Sequence, residues 1–155
     1  MEPGAGQKGL EALTECAFSV GENFSEPAVF TDESIREIAT LTGDFNPIHH
    51  DTDFARQSRF GGLIASGGHV TGYMMGVASR FLTSRGAGLG IQMAFTLRRA
   101  TPANVPLTIE WTIRRVEPQQ RAGRHLVELE GELSQDGIRL VTGSVTCLVS
   151  REPFY

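Results

Sequence analysis

A chain of 155 residues with 40% hydrophobic side chains is long enough to bury one core and too short for two independent ones. Its net charge of -4 excludes a broad electrostatic attraction to nucleic acid or to an anionic membrane surface. Neither is an expected partner, and any anionic ligand must be held by local cations. Cys16 and Cys147 are the two cysteines; without C-x-x-C spacing they read as reduced thiols rather than a disulfide framework.

Residues 1–11, with Gly4, Gly6 and Gly9, are expected to form a disordered tail, because little apolar surface offsets their backbone entropy. Residues 12–155 are expected to form a single domain. The N-terminus lacks the apolar segment of a signal peptide, and no apolar run approaches the ~20 residues that cross a bilayer. The expectation is a soluble, cytoplasmic protein.

From Cys16 to Phe30 the pattern is broken by Gly21 and Pro27, as in an irregular edge strand. Thr31 or Asp32 can then cap a helix whose face carries Ile35, Ile38, Ala39 and Thr42, with Glu33, Arg36 and Glu37 toward water. Gly43 and Pro47 stop that helix and leave a tight polar loop over 43–50. A short helical turn over 51–57 follows.

Val70, Tyr73, Met74, Val77, Ala78 and Phe81 then repeat at helical spacing and predict a buried central helix over about 68–83. Beyond it the period becomes 2. Leu89 to Leu97, Leu107 to Ile113, Val127 to Leu133 and Val141 to Val149 predict four strands, the last two joined by an Asp136-Gly137 hairpin. Helices followed by consecutive strands imply an α+β domain in which a mostly antiparallel sheet packs on one long helix.

The loop reads Leu41-Thr42-Gly43-Asp44-Phe45-Asn46-Pro47-Ile48-His49, with Ala55 six residues after the histidine. Alone, Asp44 would pass for a cap and His49 for a loop histidine. Together they present a carboxylate and an imidazole within one turn, the groups needed to take a proton from water and deliver one to carbon. His50, Asp51 and Asp53 lie beside them without the spacing of a metal site, so no metal or other cofactor is expected.

This stretch resembles the signature of MaoC-like (R)-specific enoyl-CoA hydratases and related acyl dehydratases. Two departures stand in it: Ile38 and Ala39 occupy the place of an aromatic residue, and Pro102 to Pro106 replaces a Gly-Asp turn. The resemblance implies a hotdog fold, a curved antiparallel sheet wrapped around the central helix. It implies a homodimer and a substrate that is an acyl-CoA or acyl-carrier thioester, hydrated or dehydrated at its 2,3 position.

It also implies site residues. Asp44 and His49 form the catalytic pair. Gly67, in Ile64-Ala65-Ser66-Gly67, gives a backbone N–H that polarises the thioester carbonyl. Asn46, Ser66, Gly68 and His69 are expected to border the substrate, His69 being equally readable as a core residue. Ser66 stands where the family more often has His, and Gly68 where one branch has Trp. Arg98, Arg99, Arg114 and Arg115 are candidates for carrier phosphates. The competing readings are a thioesterase on the same fold and a non-catalytic acyl-thioester-binding or partner subunit.

Overall fold

The structure is a computed structural model describing residues 15–154, so the expected tail over 1–11 lies outside the described residues. Strand β1 (Asn23–Ala28), helix α1 (Asp32–Leu41), a 3-10 turn (Pro47–His49), helix α2 (Thr52–Gln57) and helix α3 (Gly67–Thr83) come first. Strands β2 (Ala87–Leu97), β3 (Leu107–Pro118), β4 (Arg124–Gln135) and β5 (Ile138–Ser150) follow. The five strands form one antiparallel sheet in the order β1-β3-β4-β5-β2.

The expected elements are present, most with small shifts at their ends; the first strand is shorter than expected, running Asn23–Ala28 rather than from Cys16 to Phe30. β1 carries Pro27 at the sheet edge, where its missing N–H costs no inner ladder bond. Asp136 and Gly137 both have positive φ, 48° and 78°, as the tight turn between β4 and β5 requires.

Alternation works in β3, whose Leu107, Ile109, Trp111 and Ile113 are all buried. It is interrupted in β2. A bulge between Gly90 and Gln92 shifts the register, and Leu89, Ile91, Met93 and Leu97 remain half or more exposed because β2 is the other sheet edge.

Helix α3 lies on the sheet through Val70, Met74, Val77, Ala78 and Leu82, all essentially inaccessible to solvent. The sheet makes room for a large ring beneath it. One row across the strands reads Phe24, Trp111, Gly131, Gly143, Phe95. A Cβ on Gly131 would overlap the Trp111 indole, and one on Gly143 the Phe95 ring. The indole Nε1–H donates to the Met74 carbonyl at 3.2 Å, so the largest buried side chain also ties the helix to the sheet. Replacing such a residue by alanine costs about 3–5 kcal/mol.

A second, smaller core of Ile48, Ala55 and Leu63 sits beside the first. It packs the loop before α2 against the segment leading into α3.

Candidate active site

The end of α1 determines where Asp44 stands. Thr42 caps the helix after Leu41, and Gly43 adopts φ 73°, a left-handed conformation open to glycine at little cost. Its N–H donates to Thr40 O at 3.1 Å and that of Asp44 to Ala39 O at 2.8 Å, the paired bonds of a glycine-closed helix end.

Asp44 therefore begins the loop with its backbone already held. Its Oδ1 accepts the Asn46 N–H at 3.2 Å, and Asn46 Oδ1 in turn accepts the Ile48 N–H at 3.2 Å. Pro47 then starts the 3-10 turn that ends on His49. These short-range bonds turn the chain back so that His49 Nε2 comes to 3.4 Å from Asp44 Oδ2.

The other face of the His49 ring is fixed from further along the chain. Its Nδ1 lies 2.7 Å from the Ile64 carbonyl oxygen, which can only accept, so Nδ1 carries the hydrogen. In the neutral imidazole Nε2 is then a bare acceptor. His49 is buried, whereas the Asp44 side chain is 42% exposed; one member of the pair is dry and the other reaches water. Ala55 is fully buried against Ile48 and Leu63, so a larger side chain there would push the His49 turn out of place.

At the start of α3 the Ser66 hydroxyl accepts the His69 N–H at 3.3 Å, and Val70 N–H bonds the Ser66 carbonyl. Among the described residues the Gly67 and Gly68 N–H groups have no acceptor, and they stand at the positive end of a 17-residue helix. Gly67 lines a cleft of about 640 Å³ together with His49, Asn46, Ile64, Val70 and Leu97. Leu97 packs directly on Gly67: an added Cβ would meet Leu97 Cδ1 at 2.8 Å.

The same cleft is lined by Arg59, Arg98 and Arg99, and by the half-exposed Phe54 and Phe60. No carboxylate lines it, and among the described residues none of the three arginines forms an ion pair. On a chain of net charge -4 this is a local group of cations.

A family model described as "MaoC like domain" matches residues 19–135. The chain belongs to the MaoC-like domain family. A "UPF0336 protein" of Streptomyces avermitilis is 26% identical over 140 residues, spanning 85% of this chain and 92% of its own length. The (R)-hydratase from A. caviae involved in PHA biosynthesis has a similar fold, with TM-score 0.74 and 20% identity over 84% of this chain and 96% of its own. The MaoC-like dehydratase from Rhodospirillum rubrum gives 0.71 and 26% over 88% and 96%. The five-stranded sheet on α3 is thus the α+β hotdog fold of MaoC-like proteins.

Within this MaoC-like fold the residues singled out by sequence separate into two groups. His49 and Gly67 line one cleft, Asp44 meets His49 from outside that lining, and Asn46 borders the cleft while its side chain holds the loop. The other three stand elsewhere. The Ser66 hydroxyl is spent on the helix cap, and Gly68 is exposed, outside the cleft lining, with nothing within 4 Å of an added Cβ.

The His69 ring lies edge-on to Phe30 at 4.8 Å, with its Nδ1 buried and unpartnered. Burial lowers its pKa from the usual histidine value.

The candidate arginines separate as well. Arg98 and Arg99 line the cleft, whereas Arg114 pairs with Glu130 and Arg115 with Glu117 and Glu128. Sequence reasoning missed Arg59 and Leu97, which no local pattern marks. It also set Arg36 toward water. The structure half-buries it, because its guanidinium reaches across to the His50 carbonyl at 2.9 Å and the Thr52 hydroxyl at 2.6 Å.

Proposed function

We propose that this chain adds water across the 2,3 double bond of a trans-2-enoyl thioester to give the (R)-3-hydroxyacyl thioester, and catalyses the reverse dehydration. Asp44 and His49 are the acid–base pair, and the Gly67 N–H receives the thioester oxygen. The observation that carries this reading is the pairing of a bare His49 Nε2 with Asp44 Oδ2 at 3.4 Å, on a ring whose Nδ1 is committed to Ile64.

Two acceptors facing one another across that gap suit a water molecule that donates one hydrogen to each. Its oxygen lone pairs then point away from the pair, toward a substrate in the cleft. As oxygen bonds to C3, the pair takes up one water proton. The double-bond electrons move toward the carbonyl, where the Gly67 N–H and the helix dipole stabilise the developing enolate. A proton returned to C2 completes the addition. The coupled pair shares these transfers, so neither role is divided between its members. The sequence is acid–base chemistry throughout, with no change of oxidation state, and the reading includes neither metal nor redox cofactor.

Arg59, Arg98 and Arg99 support a phosphate-bearing carrier, as in an acyl-CoA or acyl-carrier thioester. The edge strand β2, with Leu89, Ile91, Met93 and Leu97 exposed, supports pairing with a second copy in a homodimer. Incubation with crotonyl-CoA, following enoyl absorbance and free thiol together, tests the reading. Loss of the enoyl band without thiol is expected. Thiol release would instead mean hydrolysis, and an unchanged enoyl band with a panel of longer enoyl-CoAs as well would overturn the assignment.

A further inference from the structure

We infer that His50 is a positioning residue for the catalytic pair, acting by clamping the main chain of Asp44. This rests on the Asp44–His49 reading above. His50 Nε2 lies 2.7 Å from the Asp44 carbonyl oxygen, an obligate acceptor, so Nε2 carries the hydrogen. Neighbouring histidines thus hold opposite tautomers: His49 donates from Nδ1 to Ile64 and His50 from Nε2 to Asp44.

The clamp is itself anchored. Arg36 of α1 donates to the His50 carbonyl and to Thr52, the first residue of α2, while the Phe45 ring stacks against the imidazole at 6.1 Å and 25°. Asp44 is consequently held at every polar main-chain atom, its N–H by Ala39 O and its C=O by His50. What remains free is the rotation of its carboxylate, and the Asn46 N–H limits that.

The consequence for the reaction is geometric. The Oδ2 to Nε2 gap is bridged by one water only while the Asp44 backbone stays where His50 holds it, and supporting shells of this kind keep reacting groups within about 0.5 Å of the productive position. Asp44 has a half-exposed side chain, so without the clamp water replaces the lost donor and the fold survives. The carboxylate then samples a wider range of positions.

Two substitutions separate this role from a structural one. H50F keeps a ring against Phe45 and removes the donor; H50Q keeps an N–H donor near the Nε2 position. With crotonyl-CoA as probe, H50F is expected to lower kcat about tenfold, since a misplacement of about 1 Å can cost on the order of 10²-fold. KM and the thermal midpoint should stay close to wild type, and H50Q should recover kcat to within about twofold. In ¹⁵N-histidine NMR, His50 should read as the Nε2–H tautomer and His49 as the Nδ1–H tautomer, and the His49 ring nitrogens should shift in H50F but not in H50Q.

The inference is overturned if H50F keeps the wild-type kcat, if H50F and H50Q lose activity and thermal stability alike, or if His50 reads as the Nδ1–H tautomer. Should the wild-type protein leave crotonyl-CoA and the panel of longer enoyl-CoAs alike untouched, the proposed reaction is what fails. The NMR comparison then decides the clamp by itself: His49 lines that move in H50F alone uphold it, and unmoved lines refute it.

Discussion

Gly67→Ala tests the cleft most directly, because the consequences can be worked from one contact. The new Cβ would stand 2.8 Å from Leu97 Cδ1, against about 3.5–4.0 Å for carbon atoms in ordinary contact. Something must therefore yield by roughly 1 Å. The backbone of α3 is fixed by its packing on the sheet, whereas Leu97 is 55% exposed, so Leu97 moves.

Overpacking costs ~1–3 kcal/mol, with this mobile side chain near the low end. Alanine recovers up to about 1 kcal/mol of helix propensity over glycine. Net stability should change by less than about 1 kcal/mol, a shift in Tm of roughly 2–4 °C or less for a domain of this size. Activity should not be spared. Leu97 lines the cleft beside the Gly67 N–H, and its displacement by about 1 Å into the acyl path is expected to lower kcat/KM for enoyl-CoA hydration ~10–100-fold, or about 1.4–2.7 kcal/mol.

The Gly67→Ala/Leu97→Ala double variant removes the displaced side chain and should regain most of that loss, which makes the two effects strongly non-additive. Steady-state hydration kinetics and thermal melts on the four proteins suffice. A Gly67→Ala protein with undiminished kcat/KM, or a double variant no better than Gly67→Ala alone, would show that the Gly67–Leu97 contact does not border the reacting carbonyl.

Asp44→Asn and His49→Ala should each lower kcat by roughly 10²–10⁴-fold with little change in melting temperature, and the double variant should be hardly worse than either; near-normal hydration by both single variants would refute the pair. Replacing Arg59, Arg98 and Arg99 together by alanine should raise KM for a CoA thioester and flatten its dependence on salt while leaving kcat nearly intact, so an unchanged KM at low salt would place the carrier elsewhere. His69 is held neutral by burial, its folded pKa lying below the ordinary 6.5. The unfolded chain therefore binds the extra proton first, and stability is full above about pH 6.5 and falls as pH drops through that value toward the folded pKa. Denaturant melts at pH 5 and 7 should show a smaller acid loss in His69→Phe than in wild type, the remainder including His125, which burial shifts the same way; equal losses in the two proteins would mean that His69 is not buried neutral.

Much of this protein follows from short-range physics that the sequence displays. Thr42-Gly43 closes α1 through bonds reaching back three and five residues, and Asp44, Asn46 and Pro47 then build consecutive turns; every partner lies close along the chain, so the tight loop was legible locally, while its expected role came from the resemblance to a family signature. The same holds for the α3 stripe, where Val70, Met74, Val77 and Ala78 announce a buried face at helical spacing, and for the Asp136-Gly137 turn, whose residue types tolerate positive φ.

What tertiary structure alone decided are the contacts between distant segments. The Ile64 carbonyl that sets the His49 tautomer comes from 15 residues away, Leu97 meets Gly67 from the end of another element, and Arg59 joins Arg98 and Arg99 only across the cleft. Arg36, polar and helical, gave no sign that it would turn inward to His50, and Leu89, Met93 and Leu97 alternate as a buried strand does yet lie open on a sheet edge. Periodicity records which face of an element is apolar; what that face meets depends on how the elements pack, and no local pattern carries that information.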